Sequence, residues 1–204
     1  MTTAGSFFEF EVLQAVRGEL YTIKRDEWLA SVPHLEERLE PYLESGAWRE
    51  AVFARILLGW LKHAPVYRDL LADLAAVDAA QEARRAVGLG QVWDDFARRA
   101  ADHPPARILP LCWEAILEYP GVWPEWKVVT FLRMLRAVPH VRSVEPLLAY
   151  LEGSTQYRQM KNAGLALAAI PQQDVAARLE LYRSKHADMV QVLVEAAEDM
   201  EAGE

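Results

Sequence analysis

Five arginines between residues 84 and 107 are the side chains of this sequence best suited to hold an anion. They are Arg84, Arg85, Arg98, Arg99 and Arg107, in an otherwise acidic chain. Arg84–Arg85 and Arg98–Arg99 flank one predicted turn, so we expect the side chains to share an edge. Guanidinium groups form forked hydrogen bonds with carboxylates and phosphates. The cluster is therefore a candidate partner-binding site; the alternative is a solvated face whose charges complement helix C-termini.

Two tryptophans, Trp123 and Trp126, lie in a proline-rich predicted turn over residues 120–126. Tryptophan at such a turn either packs between neighbouring helices or stays exposed as an anchor for a partner. Both interpretations remain open, and both residues join the arginines as candidate partner-binding residues.

Residue patterns that would indicate catalysis are missing from the sequence. It contains no Gly-x-x-x-x-Gly-Lys phosphate loop, no His-Glu-x-x-His, no Gly-x-Ser-x-Gly and no Glu-x-x-His. Cys112 falls on the apolar stripe of its predicted helix, which favours a core residue over a nucleophile. His34 and His140 each follow a proline at matching positions, which indicates a structural repeat. We therefore predict no catalytic residue, no metal and no cofactor.

Composition and charge limit the class of partner. The 204 residues are 52% hydrophobic and carry a formal net charge of −8. An acidic chain does not attract nucleic acid through its overall field, so a protein is the expected partner and nucleic acid is not. The single cysteine, the absence of an 18-residue apolar run and an N-terminus without basic residues predict a cytoplasmic protein with no membrane association.

Apolar residues recur at three- and four-residue steps along most of the chain, which predicts an all-α fold. These steps also predict which residues face inward on the helices: Leu35, Leu39, Val52, Ile56 and Trp60, then Ile108, Leu111, Cys112, Ala115, Ile116, Val128, Phe131, Leu132, Leu135 and Val138, then Val141, Val144, Leu147, Leu148, Leu151, Tyr157, Met160, Gly164 and Leu167. Proline and glycine divide the pattern into helical hairpins. The predicted domain is a single one over 1–204, with an N-terminal cap at 6–30, about five antiparallel hairpins at 33–200 and a frayed acidic tail at 201–204. In the first hairpin, Gly46 is expected to end one helix and Pro65 the next.

The proline spacing supports a repeat. Pro33 and Pro65 are 32 residues apart, as are Pro139 and Pro171, and Val-Pro-His occurs at both 32–34 and 138–140. Hairpins that cannot bury both of their apolar faces alone would stack on one another into a right-handed α-solenoid. The alternative is an irregular helical bundle in which proline only separates the helices.

The repeat length, the paired helices and the proline positions resemble α-solenoids of the HEAT class over residues 33–200. Tetratricopeptide repeats are the second choice, since Gly46-x-Trp48-x-x-Ala51 is similar to their turn and second helix. Arg55 departs from that pattern, which has an aromatic residue there. Either resemblance implies a protein that binds proteins or peptides along a helical-repeat surface.

Three functions follow from these observations. The first is a non-catalytic protein-interaction module. The second is an immunity or antitoxin-type inhibitor, which a small acidic chain could be by covering a basic site on a toxin. The third, a nucleic-acid-binding or repair factor on a HEAT-like scaffold, has only the arginine cluster to support it. The sequence leaves open the identity of the partner, the surface used and the oligomeric state.

Overall fold

A computed structural model describes residues 23–83, 96–118 and 125–171 of the chain. Every regular element in these ranges is a helix, which confirms the predicted all-α class for them. Short 3-10 helices span Glu40–Tyr42 and Val141–Ser143, and residues 96–101 are also helical. The α-helices are α1 (Ile23–Ser31), α2 (Leu35–Leu39), α3 (Trp48–Ala83), α4 (Pro105–Glu118), α5 (Glu125–Ala137), α6 (Val144–Gly153) and α7 (Tyr157–Ala168).

The chain divides into two compact units, Met1–Ala64 and Pro65–Glu204. The predicted single domain over 1–204 and the count of about five hairpins stay predictions. Of the predicted N-terminal cap, only its last part, in α1, falls within the described ranges. The fifth predicted hairpin and the acidic tail, in 172–204, lie outside them.

In the first unit, α2 and the start of α3 bury the apolar stripes that the sequence predicts. Leu35 and Leu39 are buried on α2, and Val52, Ile56 and Trp60 are buried on α3. The four-residue steps place each set on one face of its helix, where burial removes it from water. Burying a side chain of this size contributes about 1.5–3 kcal/mol.

Arg55 is the charged residue within the apolar stretch of α3, and its guanidinium forms hydrogen bonds to residues in and before that helix. Its side chain is 13% exposed. Nη1 donates to the carbonyl of Ala51 at 2.9 Å, and Nη2 donates to the carbonyl of Leu43. The carboxylate of Glu44 lies 3.4 Å from Nη2. A guanidinium can serve several acceptors at once, so Arg55 joins the end of the 3-10 helix to α3.

The prediction that Gly46 ends the first helix of the hairpin is wrong. The α-helix ends earlier, at Leu39, and continues only as the 3-10 turn Glu40–Tyr42. Pro41 explains the difference, because it has no amide hydrogen to donate to the Glu37 carbonyl and its ring disfavours a helix there. Gly46 instead lies in the connection that leads to α3.

The prediction that Pro65 stops a helix is also wrong. Pro65 lies inside α3, which continues to Ala83. The second helix of the first predicted hairpin and the first helix of the second hairpin are therefore one helix. The Leu61 carbonyl loses its amide donor at Pro65, and both residues lie on the exposed side of α3. Beyond the proline, Tyr67, Leu70 and Leu74 are buried and stabilise the continuation.

In the second unit, α4 and α5 are buried nearly all round. Residues 108–116 of α4 and 128–132 of α5 are all buried, as expected of helices with neighbours on several sides. The inward-facing residues predicted on these helices are confirmed within the described ranges: Ile108, Leu111, Cys112, Ala115, Ile116, Val128, Phe131, Leu132, Leu135 and Val138.

Helices α4 to α7 pack in a specific order. Helix α5 packs on α4, and α7 packs on α6, so each pair forms a hairpin. Between the hairpins, α6 packs on α4 and α7 packs on α5. Among the described helices, the consecutive pair α5 and α6 is not closely packed, although only residues 138–143 connect them. An up-and-down four-helix bundle would pair these consecutive helices, so the order here is that of one hairpin laid on another.

The second of these hairpins follows the prediction in its core but not at its helix starts. Leu147 and Leu151 of α6 and Leu167 of α7 are buried as expected. Val141 and Tyr157, which were expected inside, are 48% and 51% exposed. Tyr157 is the first residue of α7, and helical side chains point back toward the N-terminus. Its ring therefore projects beyond the end of the helix, where no preceding turn covers it.

A polar link closes the same hairpin at its turn. The hydroxyl of Tyr150 on α6 donates to Oε1 of Gln159 on α7 at 2.5 Å. Ser154 Oγ also donates to Oε1, at 3.4 Å, and the Gln159 amide donates to Gln156 Oε1 at 3.1 Å. One glutamine thus connects the last turn of α6 with the first turn of α7.

Candidate functional site

Three of the five predicted arginines lie on one helix-turn-helix segment and are exposed. Arg98 and Arg99 belong to the helical residues 96–101, and Arg107 is the third residue of α4. Phe96, Ala97 and Ala100, on the opposite side of the first helix, are buried. We call Arg98, Arg99 and Arg107 the arginine surface.

Backbone hydrogen bonds fix the turn between the two parts of this surface. The amide of Asp102 donates to Arg99 O at 3.3 Å, and that of His103 donates to Ala100 O at 3.1 Å. The amide of Arg107 donates to Pro104 O at 2.8 Å, which starts α4. Arg99 and Arg107 are thus held on ordered backbone rather than on a long loop.

The remaining predicted partner-binding residues cannot be placed with this surface. Arg84, Arg85 and Trp123 lie outside the described residues. Trp126 is the second residue of α5, and only its helical position is described. The predicted gathering of five arginines on one edge and the role of the tryptophans stay predictions.

Helix electrostatics account for only part of the arginine surface. Arg98 and Arg99 lie near the C-terminal end of their helix, where cations complement the helix dipole. Arg107 lies in the first turn of α4, where the dipole favours anions, and this turn holds no acidic residue. Complementing a helix C-terminus therefore explains Arg98 and Arg99 but not Arg107, which is exposed to solvent at a helix N-terminus.

A buried polar cluster, whose members the sequence pattern does not group together, lies elsewhere in the second unit. Glu114 is 0% exposed, and Cys112 and Tyr67 are equally inaccessible. Burial raises the pKa of the Cys112 thiol. Burial also raises the pKa of the Tyr67 hydroxyl, and negative charge on the neighbouring Cys112 and Glu114, when they ionise, raises that pKa further. These groups are potential nucleophiles and acids, but the thiol and phenol are held protonated and away from solvent.

The periodic pattern gave only a weak signal for Glu114. The expected apolar stripe of α4 covers Leu111, Cys112 and Ala115, with Glu114 on its flank. A glutamate on the flank of an amphipathic helix is normally solvated. Its burial follows from α4 having neighbours on several sides, which a single helix pattern does not reveal.

The two Val-Pro-His histidines have different local structures. His34 has a left-handed backbone with φ 54°, and its Nδ1 lies 3.4 Å from Glu37 Oε2. His140 is extended, with φ −150°, and its Nδ1 accepts from the amide of Arg142 at 3.1 Å. His140 therefore caps the 3-10 helix Val141–Ser143, so the sequence repeat is not a conformational repeat at this residue.

Among the described residues, no three His, Cys, Asp or Glu side chains are grouped so that they could hold a metal ion. No helix in the described ranges is both long enough and apolar enough to span a bilayer.

Comparison with protein families, with curated proteins and with solved structures finds no match for this chain.

Proposed function

We propose that the chain is a non-catalytic protein-interaction module built on stacked helical hairpins of a HEAT-like kind. The observation that carries the proposal is the packing order of the second unit. Helix α6 lies on α4 and α7 lies on α5, while α5 and α6 are not closely packed. Repeat proteins stack hairpins in this layered way and use the resulting surfaces to bind other proteins.

The location of the reactive side chains supports a binding function over a catalytic one. Cys112 and Glu114 are 0% exposed. A nucleophilic cysteine acts as a thiolate in a partly exposed, electropositive environment, whereas burial raises the pKa of Cys112. The charged groups that solvent reaches, including the arginine surface, are suited to recognition.

Affinity capture followed by reconstitution tests this function. Tagged chain is used to capture proteins from cells of its own source, and an unrelated acidic helical protein of similar size serves as bait control. The proposal expects one protein enriched over the control that binds the purified chain in a saturable manner. The activity of that protein, measured with and without the chain, then distinguishes an inhibitor from an adaptor.

If no captured protein binds the purified chain, and the chain alone converts a small-molecule substrate at a rate that tracks its concentration, the interaction proposal is wrong.

A further inference from the structure

We propose that residues 61–66 of α3 are a hinge at which this helix bends. The inference goes beyond the proposed function and does not depend on it. Helix α3 is 36 residues long, and Pro65 lies inside it. The boundary between the two compact units, Met1–Ala64 and Pro65–Glu204, falls at the same proline. The hinge therefore lies in a helix that contributes residues to both units.

Burial along α3 is interrupted at the hinge. Most of residues 51–60 are buried, and beyond the hinge Tyr67, Leu70 and Leu74 are buried. Residues 61–66, in contrast, include no buried residue. Packing against neighbours supplies most of the stability of a helix in a protein, and a stretch with few buried contacts opens at a low cost in free energy. The two ends of α3 are thus held by packing, whereas the stretch between them is not.

The backbone of α3 lacks a hydrogen bond in the same stretch. Pro65 has no amide hydrogen, so the carbonyl of Leu61, four residues earlier, receives no helical hydrogen bond from it, and the proline ring crowds that carbonyl. Sharp bends in helices occur at proline for these reasons. The missing hydrogen bond and the missing burial therefore coincide within about two turns of one helix.

The ion pair that the hinge makes with α2 is too weak to prevent bending. Lys62 pairs with Glu36, and both side chains are about half exposed. Exposed ion pairs contribute little to stability and are screened by salt. Hinge motions of this kind take microseconds to milliseconds, and a few residues absorb the change in backbone angles.

Native-state hydrogen exchange tests the low local stability, with Pro65→Ala as the variant. Alanine supplies the missing amide at an exposed position. In the wild-type protein, the amides of residues 66–69 are expected to be less protected than those of 54–58, and Pro65→Ala should raise their protection roughly tenfold or more. Asp73→Ala is the control, since it raises helix propensity at another exposed position of α3. It should change the protection of residues 66–69 by at most about threefold.

Distances between two spin labels test the bending itself. Nitroxides are attached at Arg49→Cys and Ala76→Cys, both exposed on α3, in a Cys112→Ala background that removes the only native cysteine. At about 1.5 Å per residue, a straight helix holds these positions about 40 Å apart. Double electron–electron resonance is expected to give a broad distance distribution with Pro65 in place, and a narrow one near that length after Pro65→Ala.

Low protection of residues 66–69 and a broad distribution that Pro65→Ala narrows would support the hinge. Equal protection of residues 66–69 and 54–58, or protection that Pro65→Ala leaves unchanged, would overturn it. A narrow distance distribution with Pro65 in place would also overturn it, even with low protection at 66–69, because the helix then keeps one direction.

Discussion

The indole Nε1 of Trp113 donates a hydrogen bond to the hydroxyl of Ser143 at 2.9 Å, and both side chains are buried. Trp113 lies in the middle of α4, and Ser143 is the last residue of the 3-10 helix that leads into α6. The bond therefore joins two successive hairpins at the place where their first helices pack. It is a polar link within an apolar interface, so its loss cannot be compensated by water.

Ser143→Ala is expected to lower the free energy of unfolding by about 1–3 kcal/mol, because it leaves a buried indole N–H without its acceptor. Trp113→Phe removes the donor and some packing, and the double variant should cost less than the sum of the two single changes. Urea unfolding monitored by circular dichroism measures all three values.

Ser31→Ala provides the control for this cycle. Ser31 Oγ donates to Trp28 O at 2.8 Å on an exposed part of α1, so its removal should cost only a few tenths of a kcal/mol. A Ser143→Ala effect no larger than that of Ser31→Ala would show that the buried link does not hold the hairpins together.

Arg55 should be required for the stability of the first unit. Arg55→Met keeps much of the apolar stem but removes the donors to the carbonyls of Leu43 and Ala51. We expect a loss of about 1.5–3 kcal/mol, since hydrogen bonds from charged groups lie in that range. Hydrogen exchange of the amides in residues 43–52 should accelerate in the same variant.

Lys62→Met is the matched control for Arg55→Met. Lys62 pairs with Glu36 across α2 and α3, but both side chains are about half exposed. An exposed pair of this kind contributes at most about 1 kcal/mol. If the two variants lose the same stability, the hydrogen bonds of Arg55 to the carbonyls of Leu43 and Ala51 do not stabilise this unit as proposed.

Stability should fall at alkaline pH for a reason specific to the buried cluster. The ordinary pKa values are 9.0 for the Cys112 thiol and 10.0 for the Tyr67 hydroxyl, and both are raised in the fold. Both groups stay protonated in the folded state when the unfolded state has begun to release its protons. The stabilising contribution of both protonated groups is therefore fully present below pH 9. Above its ordinary pKa, each group lowers the free energy of unfolding by about 1.4 kcal/mol per pH unit.

Two single variants separate these contributions. Cys112 is the only cysteine of the chain, so Cys112→Ala should remove the decline between pH 9 and pH 10. Tyr67→Phe should reduce the decline above pH 10. Unfolding curves collected from pH 7 to pH 11 give the slopes, and identical slopes in wild type and both variants would contradict the assignment.

Arg107 is expected to lower the stability of α4, because a positive charge in the first turn opposes the helix dipole. Arg107→Glu puts an anion in the first turn of α4 and is expected to raise the free energy of unfolding by about 0.3–1 kcal/mol. Arg136→Glu, in the last turn of α5, should lower it by a similar amount, because the dipole has the opposite sign there. Thermal melts of the two variants at low salt provide the comparison, and shifts of the same sign would refute the dipole argument.

Prolines show how far the sequence could predict the helices. Pro41 and Pro65 carry the same local cost, since each lacks the amide donor of its turn. The α-helix ends before Pro41, where the following Tyr42 and Leu43 are only half-buried. A different helix, α3, continues through Pro65, and the residues Tyr67 and Leu74 that follow this proline are buried. The outcome depends on burial after the proline, which local sequence does not supply.

The core of α4 and α5 was predictable because three- and four-residue apolar steps directly mark a helix face. The burial of Glu114 was not, because it results from α4 having neighbours on more than one side, which the pattern of a single helix does not reveal. The exposed position of Tyr157 was missed for a similar reason, since an aromatic at a helix start matches the period of the core without being covered. For the candidate site, the sequence identified Arg98, Arg99 and Arg107, whereas the unfavourable position of Arg107 on α4 became visible only once the helix start was known.

Isothermal titration calorimetry of the purified chain against its captured partner tests the interaction function most directly. Binding predicts heat that saturates at a fixed stoichiometry, with both proteins recovered at unchanged mass. Heat that continues at a constant rate after mixing, together with a changed mass or product, would identify turnover and contradict the account.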